Sequence, residues 1–366
     1  MQLYVLDRSL NVIGILDTYQ SLRWRRRFNN YSEFEMQCLL SADNLAMLVR
    51  DNILVKTDNL NEAAFIEYRN LQQLETGEEL LVIKGRFLNS YFDRRIIWSQ
   101  ELINSTSEIA MRTLVKDQCI TPVDNNRIIP NLQLGTLKNY IGNISYQVSY
   151  KNLFDELVNL TNSSNLGFRV LLDITNKKLN FEVFQGIDRT SGQSTNSRCI
   201  FSNDFENVIT QQYVDSMNNL CNVALVGGVG VGSARKLVTV GSAVGLDRFE
   251  TFVDADSISN IKSSDSSTIA DVDYLPMLTA KGNEVLGATR DVKTFDSTIN
   301  VNSNLIYRTD FDLGDKVTCI NKKWGLTLDT QIVEIEETYD INGLTVNVVF
   351  GNNIPTLLDI IKQKMR

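Results

Sequence analysis

FDLGDKVTCINKKWGLTLDTQIVEIEETYDINGLTVNVVFG, residues 311–351, decides how this chain is read. Asp312-Leu313-Gly314-Asp315 reads as a turn, with Gly314 supplying backbone freedom that other residues lack. Lys316 to Ile320 is a short apolar–polar strand. A polar turn at Asn321, Lys322 and Lys323 leads into a longer strand from Leu326 to Tyr339. Asn342-Gly343 predicts a tight hairpin, because both central residues tolerate positive φ. The returning strand puts Leu344, Val346, Val348 and Phe350 on one face and Thr345, Asn347 and Val349 on the other. Long antiparallel strands of this kind build a barrel or sandwich around one core face. Nothing in them calls for catalysis.

The rest of the chain is bounded by its composition. A length of 366 residues predicts two or three domains. With 43% hydrophobic and 22% charged residues, the chain can bury several cores without staples. A formal charge of -8 disfavours a generally basic nucleic-acid binder. No apolar run approaches the roughly 20 residues that span a bilayer. The start, Met1-Gln2-Leu3-Tyr4-Val5-Leu6-Asp7, has neither basic nor apolar signal-peptide regions and reads as a strand. Five dispersed cysteines, Cys38, Cys119, Cys199, Cys221 and Cys319, predict reduced buried thiols made in a cytoplasm. The sequence contains no histidine. That excludes Ser-His-Asp and Cys-His nucleophile systems and His-ligated zinc or copper. Carboxylate catalysis, lysine chemistry and hard-cation binding remain open.

Along the chain, residues 1–95 read as mostly β: short strands around Asp7-Arg8-Ser9, then Ser21–Phe28, Glu33–Cys38, Ile53–Thr57, Ala64–Tyr68 and Glu79–Phe87. Ser41 caps a short helix carrying Leu45, Leu48 and Val49. This pattern predicts a small barrel with a helix over one open end. Residues 96–200 read as α/β. Ser105-x-x-Glu108 is a capping box for a helix ended by Thr121-Pro122. A second helix starts near Tyr150, buries Leu153, Phe154, Leu157 and Leu160, and stops at Gly167. Strands Phe168–Leu172 and Lys178–Phe184 then pair, and residues 185–198 form a mobile loop or linker. From 201 to 351 the chain returns to β, with strands at Asn207–Tyr213, Asn222–Val226, Lys236–Val240 and Arg290–Val301. A region inserted at about 241–300 holds a loop over 254–273 and a helix from Pro276 to Leu286. Residues 352–366 read as a short helix from Pro355. The fold class is therefore α+β, mainly antiparallel β.

Four clusters invite a chemical reading. Gly227-Gly228-Val229-Gly230-Val231-Gly232 has phosphate-loop glycine spacing, but Ser233-Ala234 stands where Lys-Ser/Thr is required, and a strand follows. A hairpin tip is the better reading. Arg23, Arg25 and Arg27 share one face of a strand, opposite Leu22, Trp24 and Arg26; a subunit interface or solvated face suits them better than nucleic acid. Glu334, Glu336 and Glu337, with Asp329 and Asp340, crowd one strand. A glycosidase needs its two carboxylates across a cleft, so a solvated or channel-facing stripe is preferred. Asp254, Asp256, Asp271 and Asp273 lack the spacing of a calcium loop. No catalytic, cofactor-binding or metal-ligating residue is assigned, and no cofactor is expected.

The segments Phe311-Asp312-Leu313-Gly314-Asp315, Val317-Thr318, Ile335-Glu336-Glu337, Tyr339-Asp340, Gly343 and Val349-Phe350-Gly351 resemble the end of the tail hub proteins of phages, prophages and tailocin-like particles. Ser21-Leu22-x-Trp24, Phe34-Glu35, Gly85-Arg86-Phe87, Arg94-Arg95-Ile96-Ile97, Ile187-Asp188-Arg189-Thr190, Phe201-Ser202-Asn203-Asp204-Phe205 and Asn222-Val223-Ala224 extend the similarity over nearly the whole chain. The resemblance implies two β-barrel hub domains, at 1–95 and 201–351, decorated by smaller α/β domains. It implies a homotrimer forming a pseudo-sixfold ring in the baseplate of a virion or tail-like particle. Expected neighbours are the tail tube or distal tail protein, a central spike or fibre, and the tape measure protein. Neither specific nucleic-acid binding nor membrane insertion is expected, and DNA would pass through an acidic lumen. Longer relatives continue into fibre or peptidoglycan-hydrolase domains; with Arg366 as its last residue, this chain is expected to leave those to a separate protein. Competing readings are a carboxylate-dependent cell-wall hydrolase and a host carbohydrate-binding module; the latter would need an aromatic platform from Trp24, Trp98 and Trp324.

Overall fold

Strict alternation of burial along Ser21–Arg27 and Glu33–Leu39 sets the architecture: every second side chain is buried, the others face out. In the computed structural model, which describes residues 1–351, these segments sit near the middle of one 13-stranded sheet. The first part of the chain supplies β1 (Leu3–Leu6), β2 (Val12–Leu16), β3 (Ser21–Arg27), β4 (Glu33–Leu39), helix α1 (Ala42–Met47), β5 (Ile53–Lys56), β6 (Asn59–Gln73) and β7 (Glu79–Phe87). Helix α1 is capped by Ser41, whose hydroxyl accepts from the Asn44 N–H, as the sequence predicts.

The middle of the chain supplies β8 (Glu101–Thr106), α2 (Ser107–Val115), β9 (Leu132–Leu134), β10 (Asn143–Val148), α3 (Leu153–Ser164), β11 (Gly167–Asp173) and β12 (Lys178–Phe184). The last part supplies β13 (Ile200–Ser202), β14 (Val208–Ser216), β15 (Val223–Gly227), β16 (Leu237–Val240), β17 (Glu250–Asp254), α4 (Asp271–Ala288), β18 (Val292–Ile299), β19 (Lys316–Asn321), β20 (Leu326–Asp340) and β21 (Gly343–Gly351). The expected helix at Pro355 lies outside the described residues.

The large sheet runs β14-β18-β21-β20-β3-β4-β7-β6-β5-β1-β2, with β19 joined to β20 and β13 to β19. Its decisive joint is antiparallel β20–β3, from Glu334↔Arg27 to Tyr339↔Leu22. One sheet thus spans both ends of the chain. Among the described residues the pairing is open: the main path ends at β2 and β14, and a side branch ends at β13. Two cores lie beneath it. Leu3, Leu22, Trp24, Phe34, Met36, Ile66 and Ile83 fill one; Phe201, Phe295, Phe311, Ile332, Val348 and Phe350 fill the other. Each such fully buried large apolar side chain contributes about 1.5–3 kcal/mol.

The α/β region packs α2 and α3 against β11, β12 and β9, in a core shared with Phe65, Leu88 and Phe92 of the first part. The insert between β14 and β18 is a three-stranded sheet, β16-β15-β17, with α4 on one face. Two glutamines tie the insert to the α/β region. Gln147 donates to the Ser259 carbonyl (2.8 Å) and accepts from the Ser259 N–H (2.6 Å). Gln100 does the same for the Ile261 carbonyl (3.0 Å) and the Ser263 N–H (2.7 Å). A side-chain amide matches a peptide group in donor and acceptor, so each glutamine stands in for a strand.

Several local expectations are corrected. In the last hairpin the two loop residues are Ile341 and Asn342, and only Gly343 takes positive φ (105°). The capping box does not form: Thr106 caps α2, while buried Glu108 accepts from the Lys138 and Tyr140 N–H groups. Helix α3 ends at Asn165, which takes the left-handed conformation; Gly167 instead opens β11 between the rings of Phe28 and Phe184. Helix α4 begins at Asp271, so Pro276 lies inside it rather than at its start. Within 254–273, read as loop, Glu250–Asp254 ends as a strand, β17, and Asp271 opens the helix. Residues 185–198 are irregular but tethered: Asp315 accepts from the Ile187 N–H and from Arg189, and Thr318 accepts from the Ser191 N–H.

Candidate functional site: the charged seam between the two halves

The β20–β3 joint gathers most of the charge that the sequence singles out. On its outer face Arg25 reaches Glu33 (3.0 Å), Glu334 (3.3 Å) and Glu336 (2.5 Å). Arg27 pairs with Glu334 (2.7 Å) and Glu33 (3.1 Å), and Arg23 with Glu35 (2.8 Å). Further out, Lys84 joins Glu35, and Arg86 joins Glu67 and Asp93. The strand order β20, β3, β4, β7 therefore alternates acid, base, acid, base. Opposite charges directly across a ladder stabilise it, each pair by roughly 0.2–1 kcal/mol. The arginine stripe is consumed inside the chain, which removes it as a ready nucleic-acid site. Glu334 and Glu336 are likewise paired with arginines along this joint.

The inner face holds a second network that the sequence reading missed. Lys56 is fully buried and forms an ion pair and hydrogen bond with Glu337, itself 1% exposed. Glu337 also accepts from Arg308 (2.8 Å), Tyr307 (2.8 Å) and Tyr339 (2.6 Å). Arg26 pairs with Glu62 (2.8 Å) and Asp312 (2.6 Å) and donates to the Tyr307 hydroxyl. The faces of Trp24 and Tyr339 each lie 5.7 Å from the Lys56 ammonium. Three cations, Arg26, Lys56 and Arg308, meet three carboxylates, Glu62, Asp312 and Glu337. Burial alone would raise the Glu337 carboxyl, but Lys56 and Arg308 overcome it and bring it down to about 2. Burial opposes the charge on Arg26, yet Glu62 and Asp312 push its pKa further up. Burial pulls the Lys56 ammonium down despite Glu337. Every charged group here is engaged by another, which suits a fixed joint and leaves no free nucleophile or base. One signal was available: Lys56 closes an otherwise apolar strand, Ile53-Leu54-Val55.

The remaining clusters resolve into structure. The glycine-rich segment is the tip between β15 and β16, as read from the sequence. Arg235 folds back over it, donating to the Gly227 and Gly228 carbonyls, and pairs with Asp254 (2.5 Å) and Asp256 (3.1 Å). Lys236 takes Asp271 (2.6 Å). Asp329 accepts from the Thr318 hydroxyl and Asp340 from the Asn342 N–H. Trp24 is buried, whereas Trp98 is half-exposed beneath Arg127 and Trp324 is half-exposed near Phe295, so the three form no common platform. Among the described residues no helix is long and apolar enough to cross a membrane.

The family model of the Siphovirus ReqiPepy6 Gp37-like protein matches residues 2–352. The chain belongs to that family. Its fold is shared with solved structures of low sequence identity. The 43 kDa tail protein of prophage MuSo2 from Shewanella oneidensis aligns with TM-score 0.59 at 10% identity, covering 96% of this chain and 98% of that one. Prophage tail protein gp18 from Listeria monocytogenes EGD-e aligns with TM-score 0.58 at 12% identity, covering 100% and 98%. The tail protein from Neisseria meningitidis MC58 aligns with TM-score 0.53 at 12% identity, covering 96% of each. A search of curated proteins returned no match. The Gp37-like family membership and the end-to-end match to these folds agree with the resemblance drawn from the hub motifs.

Proposed function

We propose that this chain is a structural subunit of a phage tail. Within the tail it acts as a hub: three copies close a ring that continues the tail tube and seats a central spike or fibre. The two β-rich parts, 1–95 and 201–351, serve as the two units that each subunit contributes to pseudo-sixfold symmetry. The α/β region and the insert decorate the outside.

The observation that carries this reading is the single sheet left open at β2 and β14. At one end β2 exposes Val12, Ile13 and Ile15; at the other β14 exposes Ile209. Unpaired edges of this kind are aggregation-prone unless covered. Two different edges on one subunit make a heterologous contact, and heterologous contacts that close make rings. The charged seam supports the same role, since it locks the two halves into one rigid unit.

Cryo-electron microscopy of the intact particle tests the proposal. The expected map places three copies around the bore. A position away from the axis, or clearing of cell wall by the purified protein in a zymogram, overturns it.

A further inference from the structure

A cleft of about 240 Å³ opens where the first part of the chain meets the α/β region. It is bounded by the β1–β2 turn, the turn before β5, the short helix Leu88–Arg94 and the segment that leads into β9. Three of its lining residues, Leu10, Asp51 and Asn131, take the left-handed conformation, with φ of 63°, 67° and 64°. For a leucine that conformation is strained, and strain of this kind gathers where a chain is shaped around a ligand.

The lining combines two unlike surfaces. Leu10, Ile53, Ile129 and Leu179 are apolar, whereas Arg8, Arg94 and Arg95 bring three guanidiniums against a single carboxylate, Asp51. Asp51 is already spent on Arg8 and on Arg94 (3.0 Å). The Arg94 guanidinium lies 4.7 Å from the rings of both Phe65 and Tyr91, which holds it in place. Arg95 forms no ion pair among the described residues; it donates to the Arg127 carbonyl (2.8 Å) and the Arg94 carbonyl (2.9 Å). Its neighbour Arg127 is 8% exposed and donates to the Ile96 carbonyl, again with no ion pair among the described residues. The Tyr91 hydroxyl has no hydrogen-bond partner among the described residues, and burial pushes its pKa up to about 12, so it stays a donor. Cations removed from water without a counter-charge are costly, and an anion entering here relieves that cost.

The lining also narrows which anion fits. A guanidinium fork matches the two oxygens of a carboxylate. The apolar residues call for a carbon skeleton behind the charge. Burial works against the charge on Asp51, but Arg94 and Arg8 hold its carboxyl below the usual range, so it repels a dianion such as phosphate. We propose that this cleft binds a compact carboxylate with an apolar body, with Arg95 as its main cation and the Tyr91 hydroxyl as a second donor. A free acid and the C-terminal residue of a polypeptide share that chemistry.

Calorimetric titration of the full chain with 4-methylpentanoate, N-acetyl-L-leucine, N-acetyl-L-leucinamide and inorganic phosphate tests the proposal. Both acids are expected to bind with a Kd of about 1 mM or tighter, and the neutral amide and phosphate at least about tenfold more weakly, a difference of roughly 1.4 kcal/mol. Arg95→Gln should weaken binding of the acids by the same factor. Tyr91→Phe removes a hydroxyl that holds nothing in the fold, so it should melt with the parent protein and still bind the acids about threefold more weakly. Because Arg95 also holds two carbonyls, Tyr91→Phe decides the matter if Arg95→Gln does not fold. Tighter binding of N-acetyl-L-leucine than of 4-methylpentanoate assigns the site to a chain terminus; equal or weaker binding assigns it to a free acid. The inference is overturned if neither acid binds, if the amide or phosphate binds as tightly as the acids, or if the folded variants bind them as the parent does.

Discussion

Glu337 shows how one side chain holds the two halves together. Glu337→Gln would leave Lys56 and Arg308 facing a neutral amide in a dry site, and breaking a buried pair this way costs about 3–5 kcal/mol. Urea unfolding of the variant measures it. A carboxyl whose pKa is depressed on folding adds stability above its unfolded value and loses it as pH falls through the folded one. For Glu337 that window runs from its ordinary value of 4.5 down to about 2. The stability gap between the parent and Glu337→Gln should therefore narrow as pH drops from 5 toward 2. A gap that stays constant would show that Glu337 is not held ionised. A second residue-scale case is Gly186: a Cβ there would stand 1.8 Å from the Gly314 carbonyl oxygen, backbone against backbone. Gly186→Ala is expected to lower stability by about 1–3 kcal/mol through overpacking, read from the thermal midpoint.

At the scale of elements, the cross-strand ladder predicts that Arg25→Glu destabilises the β20–β3 joint. It replaces three attractions with repulsion from Glu33, Glu334 and Glu336, on the order of 1–3 kcal/mol at low salt. The loss should shrink in high salt, because these side chains are partly solvated; a salt-independent loss would point to packing instead. The elements also show what a sequence reader can see. Alternation in β3, β4, β20 and β21 and the apolar spacing of α3 were legible because period and burial coincide there. The capping box at Ser105 failed because Glu108 found a tertiary use, binding the 138–140 backbone. Most of β17 went unread because a strand at the edge of a small sheet, half-exposed and next to Ser- and Asp-rich sequence, lacks a clean apolar alternation.

For the whole molecule, assembly should depend on the two open edges. Ile13→Lys on β2 and Ile209→Lys on β14 put a charge on surfaces that are already exposed. Each is expected to leave the monomer melting within about 0.5 kcal/mol of the parent and to abolish ring closure seen by electron microscopy. Rings that form normally from both variants would move the subunit contact elsewhere.

The sequence by itself determined the class of the molecule. Its turns, alternating strands, missing histidine and hub-like motifs specified a mainly antiparallel β protein of the tail type and excluded histidine chemistry. Those properties are local, or summed over the chain, and need no partner to be read. Only the tertiary structure decided what the charges are for. Arg25 and Glu336 are 311 residues apart, and no periodicity links them. They meet because the last long strand pairs with β3, and that pairing turns two apparent stripes of opposite charge into one internal seam.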